Sequence, residues 1–223
     1  EATRDSIFSK SFSEKLNVSF RLLEVDCVNE AQKNGETVEE AGRRIRYNFF
    51  SSLANTENSV VATAHNSNDN LETVVFNITR GSALSGAKGI PPKRDNIIRP
   101  LIFCTREEIE GYCKENNLSF VVDSTNLSDD YTRNRIRHNV LPELQKVNSN
   151  VVEAFTRFSE SVRIDDDYLD SVAENALEKA KLSECSYNIE AINSLHLSII
   201  RRVILKAIER FSKELPDSKK VNA

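Results

Sequence analysis

A short apolar run that breaks into polar residues and then resumes at helical spacing constrains this chain more tightly than any other stretch. Val60 to Gly81 reads VVATAHNSNDNLETVVFNITRG. Val60, Val61, Ala62, Thr63 and Ala64 are β-branched or small, the composition of a buried parallel strand. Past the polar break, Leu71, Val74, Val75 and Ile78 recur along one helix face. The stretch therefore reads as strand, short loop, helix. His65 stands at the carboxyl end of the strand, the edge where open α/β sheets bind ligands. Asp69 and Glu72 are either a capping pair at the helix start or, with His65, a ligand site. An imidazole and two carboxylates at one junction can move protons, hold an ammonium group or help place a metal. Residue spacing leaves both readings open.

The flanking sequence extends the alternation. Residues 1–16 read as an amphipathic helix with Ile7, Phe8, Phe12 and Leu16 on one side. Val18–Val25 follows as a strand. Thr37 and Glu40 form a capping box that starts a helix through Ala41, Ile45, Phe49 and Leu53. Its other face carries Arg43, Arg44 and Arg46. Strand, helix, strand, helix is the order of a Rossmann-like α/β fold, a parallel sheet with helices on both faces. Residues 80–100 hold three of the six glycines and three of the five prolines, a long irregular loop before a strand near Ile97–Leu101. Thr105 and Glu108 form a second capping box, for a helix to about Asn116. Ser119–Val122 reads as a strand and Asp123–Asn126 as a turn.

Arg133, Arg135, Arg137 and His138 make the densest basic cluster in the chain. From Val151 onward only helical periodicity is visible, with helices expected near Val151–Leu169, Ser171–Lys181 and Ala191–Phe211. The polar break at Asn150 divides residues 1–150, an α/β domain, from residues 151–223, a smaller all-helical domain. The tail from Lys213 to Ala223 is expected to fray.

Hydrophobic residues are 39% and charged residues 29% of the 223, the balance of a globular and not a disordered chain. A net charge of −4 gives no bulk support to nucleic-acid binding, which leaves the local cluster around Arg135 to supply it. Cys27, Cys104, Cys113 and Cys185 are widely spaced without a CxxC pair, which argues for a reduced, cytoplasmic protein and against structural zinc. No apolar run reaches membrane-spanning length, and the first residues lack a signal-peptide pattern. The sequence contains no methionine and opens on Glu1, which suits a sequence that is itself a piece.

A series of motifs then occurs in order: Ala64–Asp69 with Glu72 and Thr73, Arg80-Gly81-Ser82, Gly89-Ile90-Pro91-Pro92, Arg99-Pro100-Leu101, Asp123–Asn126 and Thr132–His138. Together they closely resemble the tRNA(Ile)-lysidine synthetase family, of the N-type ATP pyrophosphatase or PP-loop class. The resemblance covers Glu1 to about Asn150 and is less distinct beyond.

That resemblance implies a chemistry. ATP adenylates C2 of the wobble cytidine in the isoleucine tRNA with a CAU anticodon, releasing pyrophosphate. The ε-amino group of free L-lysine then displaces AMP. ATP and Mg²⁺ are the implied cofactors. By motif, His65, Asp69, Glu72 and Arg46 are the implied catalytic residues, with Asp69 also able to meet a transient Mg²⁺. Asp69 and Glu72 suit the lysine ammonium groups, His65 a proton, and Arg46 the transferring phosphates. Arg133, Asn134, Arg135 and Arg137 are the implied contacts to tRNA or nucleotide, and guanidinium forks fit phosphate oxygens. Arg80 and Gly81 fall in a loop over the site.

The family's glycine-rich ATP signature, SGGxDS after the first strand, is absent from this sequence, and Glu1 aligns downstream of it. The sequence is therefore expected to lack that strand and the backbone N–H cradle for pyrophosphate. Asn66 and Asn68 replace the second histidine and an aspartate of the family's central motif, so neither carries proton chemistry. Two alternatives stand beside this reading. One is another PP-loop tRNA ligase or thiolase, against which the missing CxxC counts; the other is a catalytically inert tRNA-binding fragment.

Overall fold

The computed structural model describes residues 2–57, 59–121, 132–183 and 186–211. Helices α1 (Ala2–Lys15), α2 (Cys27–Asn34) and α3 (Val38–Glu57) lead to strand β1 (Val61–Ala62), then α4 (Ser67–Thr79) and the single turn α5 (Leu84–Ala87). Strands β2 (Lys93–Arg94) and β3 (Ile97–Ile98) precede α6 (Arg106–Glu115). A short α7 (Thr132–Arg135) runs through a π-helical turn (Ile136–Val140) into α8 (Leu141–Val147). The remainder is α9 (Val151–Ala180), a small hairpin of β4 (Lys181–Ser183) and β5 (Ser186–Tyr187), α10 (Ile189–Asn193) and α11 (Leu197–Phe211).

The strand–loop–helix unit at the centre forms as its pattern dictates. β1 pairs in parallel with β3, Val61 opposite Ile97, and β2 pairs antiparallel with β3, giving the order β1-β3-β2. The parallel pair is the part of the expected sheet that the described residues contain. Val18–Val25, expected as a strand, is irregular instead, with Leu22 and Leu23 54% and 45% exposed. A strand is held by its neighbour's ladder, and among the described residues nothing pairs with this segment.

Helix α4 is capped by Asn66, not by Asp69. The Asn66 side chain accepts from the Asp69 N–H at 3.0 Å, and the Asp69 carboxylate accepts from the Asn66 N–H at 3.0 Å. Asp69 is thus the third residue of a capping box, and Glu72 stands outside it. The capping boxes of α3 and α6 fall where the sequence put them, at Thr37–Glu40 and Thr105–Glu108. A second set of bonds stitches α4 to the start of α6. Ser67 donates its N–H and its hydroxyl to the Cys104 carbonyl at 2.9 and 2.8 Å, and the Arg106 N–H donates to Asn68 Oδ1 at 2.9 Å.

Two apolar clusters hold the helices. Leu71 of α4, Leu141 of α8 and Val151 and Val152 of α9 pack together. Ala173, Leu177 and Ala180 of α9 pack with Ile192, Ile199 and Val203 of α10 and α11. The expected break near Leu169 does not occur: α9 is one helix of 30 residues, because nothing between Val151 and Ala180 is Pro or Gly. The expected helix over Ala191–Phe211 is in turn split. The Ser198 N–H donates to His196 Nδ1 at 3.3 Å, giving His196 a local capping role at the start of α11. The β4–β5 hairpin escapes periodicity because its strands are 3 and 2 residues long. Asp123–Asn126, Cys185 and the tail from Lys213 lie outside the described residues.

Leu177 has no solvent exposure and lies at the heart of the second cluster, whereas Leu182 is 69% exposed. Leu177→Ala is expected to lower unfolding stability by roughly 2–5 kcal/mol, and Leu182→Ala by less than about 0.5 kcal/mol. Chemical denaturation of the two variants checks the difference.

Candidate functional site

The cleft that receives the strand–helix junction has a volume of about 540 Å³. Its walls come from three separate parts of the chain. α3 supplies Arg43, Arg46, Tyr47 and Phe50; β1, the loop after it and α4 supply Thr63, His65, Asp69, Glu72 and Thr73; α7 and the π-turn supply Arg133, Asn134 and Arg137. Ile90, from the loop after α5, adds an apolar side chain to the lining.

Glu72 is 3% exposed, the most buried of the acidic side chains after Asp166. Burial pushes its carboxyl up, and the hydrogen bonds and charge of Arg137 oppose that shift. Arg137 Nε donates to Glu72 Oε1 at 2.6 Å and Nη2 to Oε2 at 3.0 Å, a bidentate fork. The same Nη2 stands 3.5 Å from Asp69 Oδ1. Burial alone would depress the Arg137 guanidinium, but the Glu72 bonds and the two carboxylate charges outweigh it and hold it protonated. Glu72 therefore does not present a free carboxylate to an ammonium group or a metal: both its oxygens face Arg137. Arg137 thus holds both carboxylates from the cleft wall, which it also lines.

His65 is half-buried, and its Nδ1 lies 2.9 Å from the Thr63 hydroxyl. Burial lowers its pKa from 6.5, against the pull of Asp69, and the positive charges of Arg99, Arg43 and Arg133 add to the lowering. The ring is a neutral imidazole at neutral pH, fixed at one nitrogen by Thr63 and with the other left to face a ligand.

The basic side is richer than the sequence suggested. Arg46 reaches the cleft as expected, and so do Arg133 and Asn134. Arg43, expected on a solvated helix face, lines the cleft too, its guanidinium 5.0 Å from the Tyr47 ring centre. Arg44 is partly buried outside the cleft lining, paired with Glu36 at 3.0 Å. Arg135 is exposed and outside the lining. Arg80 caps the far end of α4 with its guanidinium 5.1 Å from the Phe76 ring, and neither it nor Gly81 enters the cleft. Tyr47, Thr63, Thr73 and Ile90 are not among the site residues expected from sequence, although Thr73 and Ile90 lie within the motifs that carry the resemblance.

The described residues contain no group of three or more His, Cys, Asp or Glu side chains able to hold a metal ion. One Asp69 oxygen is committed to the Asn66 N–H and Glu72 to Arg137. These side chains do not fit a dedicated metal centre.

Comparison with known proteins places this cleft in context. Residues 1–144 match the model of the PP-loop domain. The chain belongs to the PP-loop family. It therefore has the α/β fold of PP-loop ATPases, and the use of ATP goes with that family. Among characterised proteins, the chain is 38% identical over 214 residues to the tRNA(Ile)-lysidine synthase of Clostridium acetobutylicum, covering 93% of this chain and 46% of that protein. It is 42% identical over 163 residues to the enzyme of that name from Thermosipho africanus, covering 73% and 38% of the two chains. The Clostridium tetani synthase is 33% identical over 228 residues, covering 100% and 49%. The PP-loop chain thus spans about half the length of the relatives it matches. No helix among its described residues is long and apolar enough to cross a membrane.

Arg137→Met leaves Glu72 buried without its partner and is expected to cost about 3–5 kcal/mol of stability, measured by denaturant unfolding. For His65, the unfolded chain binds a proton at a higher pH than the folded one. Stability contributed by its burial is thus lost as pH falls from the ordinary value of 6.5 towards the lowered one. An NMR titration of the His65 ring is expected to give a midpoint below 6.5, and Thr63→Val to move it.

Proposed function

We propose that this chain is the catalytic part of an enzyme that ligates L-lysine to C2 of the wobble cytidine in the CAU-anticodon isoleucine tRNA. The carrying observation is convergence: Arg46, His65, Asp69, Arg133 and Asn134, drawn from three distant segments, line one cleft. The names of the relatives support the choice of reaction. The cytidine C2 oxygen attacks the α-phosphate of ATP and the α–β bond breaks, releasing pyrophosphate. The lysine ε-amine then attacks C2, and AMP leaves with that oxygen while the amine gives up a proton.

Each group in the cleft suits one part of this sequence. Arg43, Arg46 and Arg133 supply positive charge where phosphate charge develops. Asp69, with one oxygen turned from its cap, attracts the substrate ammonium. Neutral His65 is the proton acceptor, since an imidazole uncharged at pH 7 is available to take a proton from an amine. Glu72 and Arg137 hold the frame. Mg²⁺ enters bound to the ATP phosphates, not through a protein-built centre. Arg135, exposed beside the cleft, fits a tRNA phosphate.

In this reading residues 1–150 form the catalytic domain, a Rossmann-like parallel sheet with helices on both faces, and residues 151–223 a helical domain on the tRNA side. The protein works in the cytoplasm.

The test is incorporation of labelled lysine into isoleucine tRNA by the intact protein that carries this chain. Incorporation is expected to require ATP, and to fall by about 10²-fold or more in His65→Ala and in Arg46→Ala. A folded wild-type protein that incorporates none overturns the proposal.

A further inference from the structure

One wall of the cleft is not held by the cleft's own elements. The loop Lys88-Gly89-Ile90, which brings Ile90 to the lining, is gripped by the long helix α9. Arg163 Nη2 donates to the carbonyls of Lys88 and Ile90 at 2.8 and 3.1 Å. Lys88 Nζ donates to Asp166 Oδ2 at 2.7 Å, and Asp166, 1% exposed, accepts at its other oxygen from Arg202 of α11 at 2.7 Å. Between loop and helix stands Asn70 of α4. Its Oδ1 accepts the Ile90 N–H at 2.7 Å, and its Nδ2 donates to Ser159 Oγ of α9 at 3.2 Å.

These bonds lie in a place with little room to adjust. Asn70 and Ser159 are 4% and 1% exposed, so an unmade bond there strands a buried polar group. Gly89 has φ +62°, and a Cβ there would lie 2.1 Å from Asn70 Oδ1. The chain can pass this close to Asn70 only without a side chain. Three parts of the fold, α4 with its catalytic-face residues, the loop and the α9–α11 pair, therefore meet at one dry polar joint.

We propose that Asn70, Ser159, Arg163 and Asp166 are positioning residues: they make the cleft wall at Ile90 an outpost of α9, so that the geometry of the cleft follows the seat of the helical region. The inference rests on the reading of the cleft as a lysidine-forming site for its kinetic test. It also has a readout independent of that reading. A wall displaced by as little as 1 Å costs orientation of the reacting groups, on the order of 10²-fold in turnover, without removing any group that touches substrate.

The intact protein is compared with Arg163→Leu, Arg163→Lys and the milder Ser159→Ala. Arg163→Leu is expected to lower kcat for lysine incorporation by about ten- to a hundredfold with the Kd for tRNA unchanged within about twofold. Arg163→Lys, whose ammonium can donate to two carbonyls, restores most of the rate, and Ser159→Ala shows a smaller loss of the same kind. In parallel, methyl NMR is expected to show the Ile90 signal displaced in Arg163→Leu and near its wild-type position in Arg163→Lys. If kcat per folded molecule and the Ile90 signal are both unchanged in Arg163→Leu, the proposal is overturned. If wild-type protein incorporates no lysine, the functional reading fails, and the Ile90 signals alone decide the positioning role. Should Arg163→Leu not fold, the same two readouts on Ser159→Ala decide it: an Ile90 signal and rate identical to wild type reject the joint.

Discussion

Asp69 and Glu72 sit one helical turn apart on α4, and in a half-dry cleft two such carboxylates repel each other. The Arg137 guanidinium makes the arrangement tenable, gripping Glu72 with two hydrogen bonds and standing 3.5 Å from Asp69. That fork also fixes the π-helical turn against α4, and with it the approach of Arg133 and Asn134 to the junction. Without it the walls from α4 and α7 have no shared charge to hold them, and Asp69 would face its neighbour's carboxylate instead of a ligand. Leu71 and Leu141 pack on the apolar side of the same contact. The polar contact thus joins α4 to the π-turn, and the apolar one joins α4 to α8 directly after it.

Much of this organisation is legible in the residues, and the exceptions have physical reasons. The strand–helix junction, the capping boxes at Thr37 and Thr105 and the basic segment near Arg133 depend on local spacing, which a sequence displays directly. The partner of Glu72 does not: Arg137 lies 65 positions away, and only the folded chain reveals that a basic residue expected to meet phosphate is spent on a buried carboxylate. Asn66 was set aside because it cannot move a proton, yet it is the residue that starts α4. Arg43 and Arg44 are adjacent in the chain, but at 100° per residue along a helix they face different surroundings, Arg43 the cleft and Arg44 the Glu36 carboxylate. Val18–Val25 carries strand composition without a pairing partner among the described residues, and composition does not report pairing.

Charge is distributed unevenly over the molecule in a way that net charge conceals. Three of the four cations of α11 pair with α9: Arg202 meets Asp166 and Asp170, Lys206 lies within 4.0 Å of Asp170 and Glu174, and Arg210 meets Glu174 and Glu178. This ladder ties the two helices and leaves little positive field on that face. Around the cleft, Arg43, Arg46 and Arg133 stand without such a carboxylate ladder. The positive side chains at the cleft are thus less neutralised by neighbouring carboxylates than those of α11, a difference that the net charge of −4 conceals.

The π-helical turn at Ile136–Val140 has a consequence for how such chains are compared. A π-turn accommodates one more residue than an α-turn and rotates everything beyond it relative to what precedes it. Arg133 and Arg137 flank that irregularity's start, one facing the ligand space and the other the acidic pair. A homologue with a regular helix here would carry its counterpart of Arg137 one position nearer to Arg133. Gap-free numbering would then pair the wrong guanidiniums, giving the structural cation of one protein the part of the ligand-facing cation of another. Equivalence along this segment is a matter of which carboxylate each arginine meets, and spatial correspondence, not sequence offset, is the measure of kinship there.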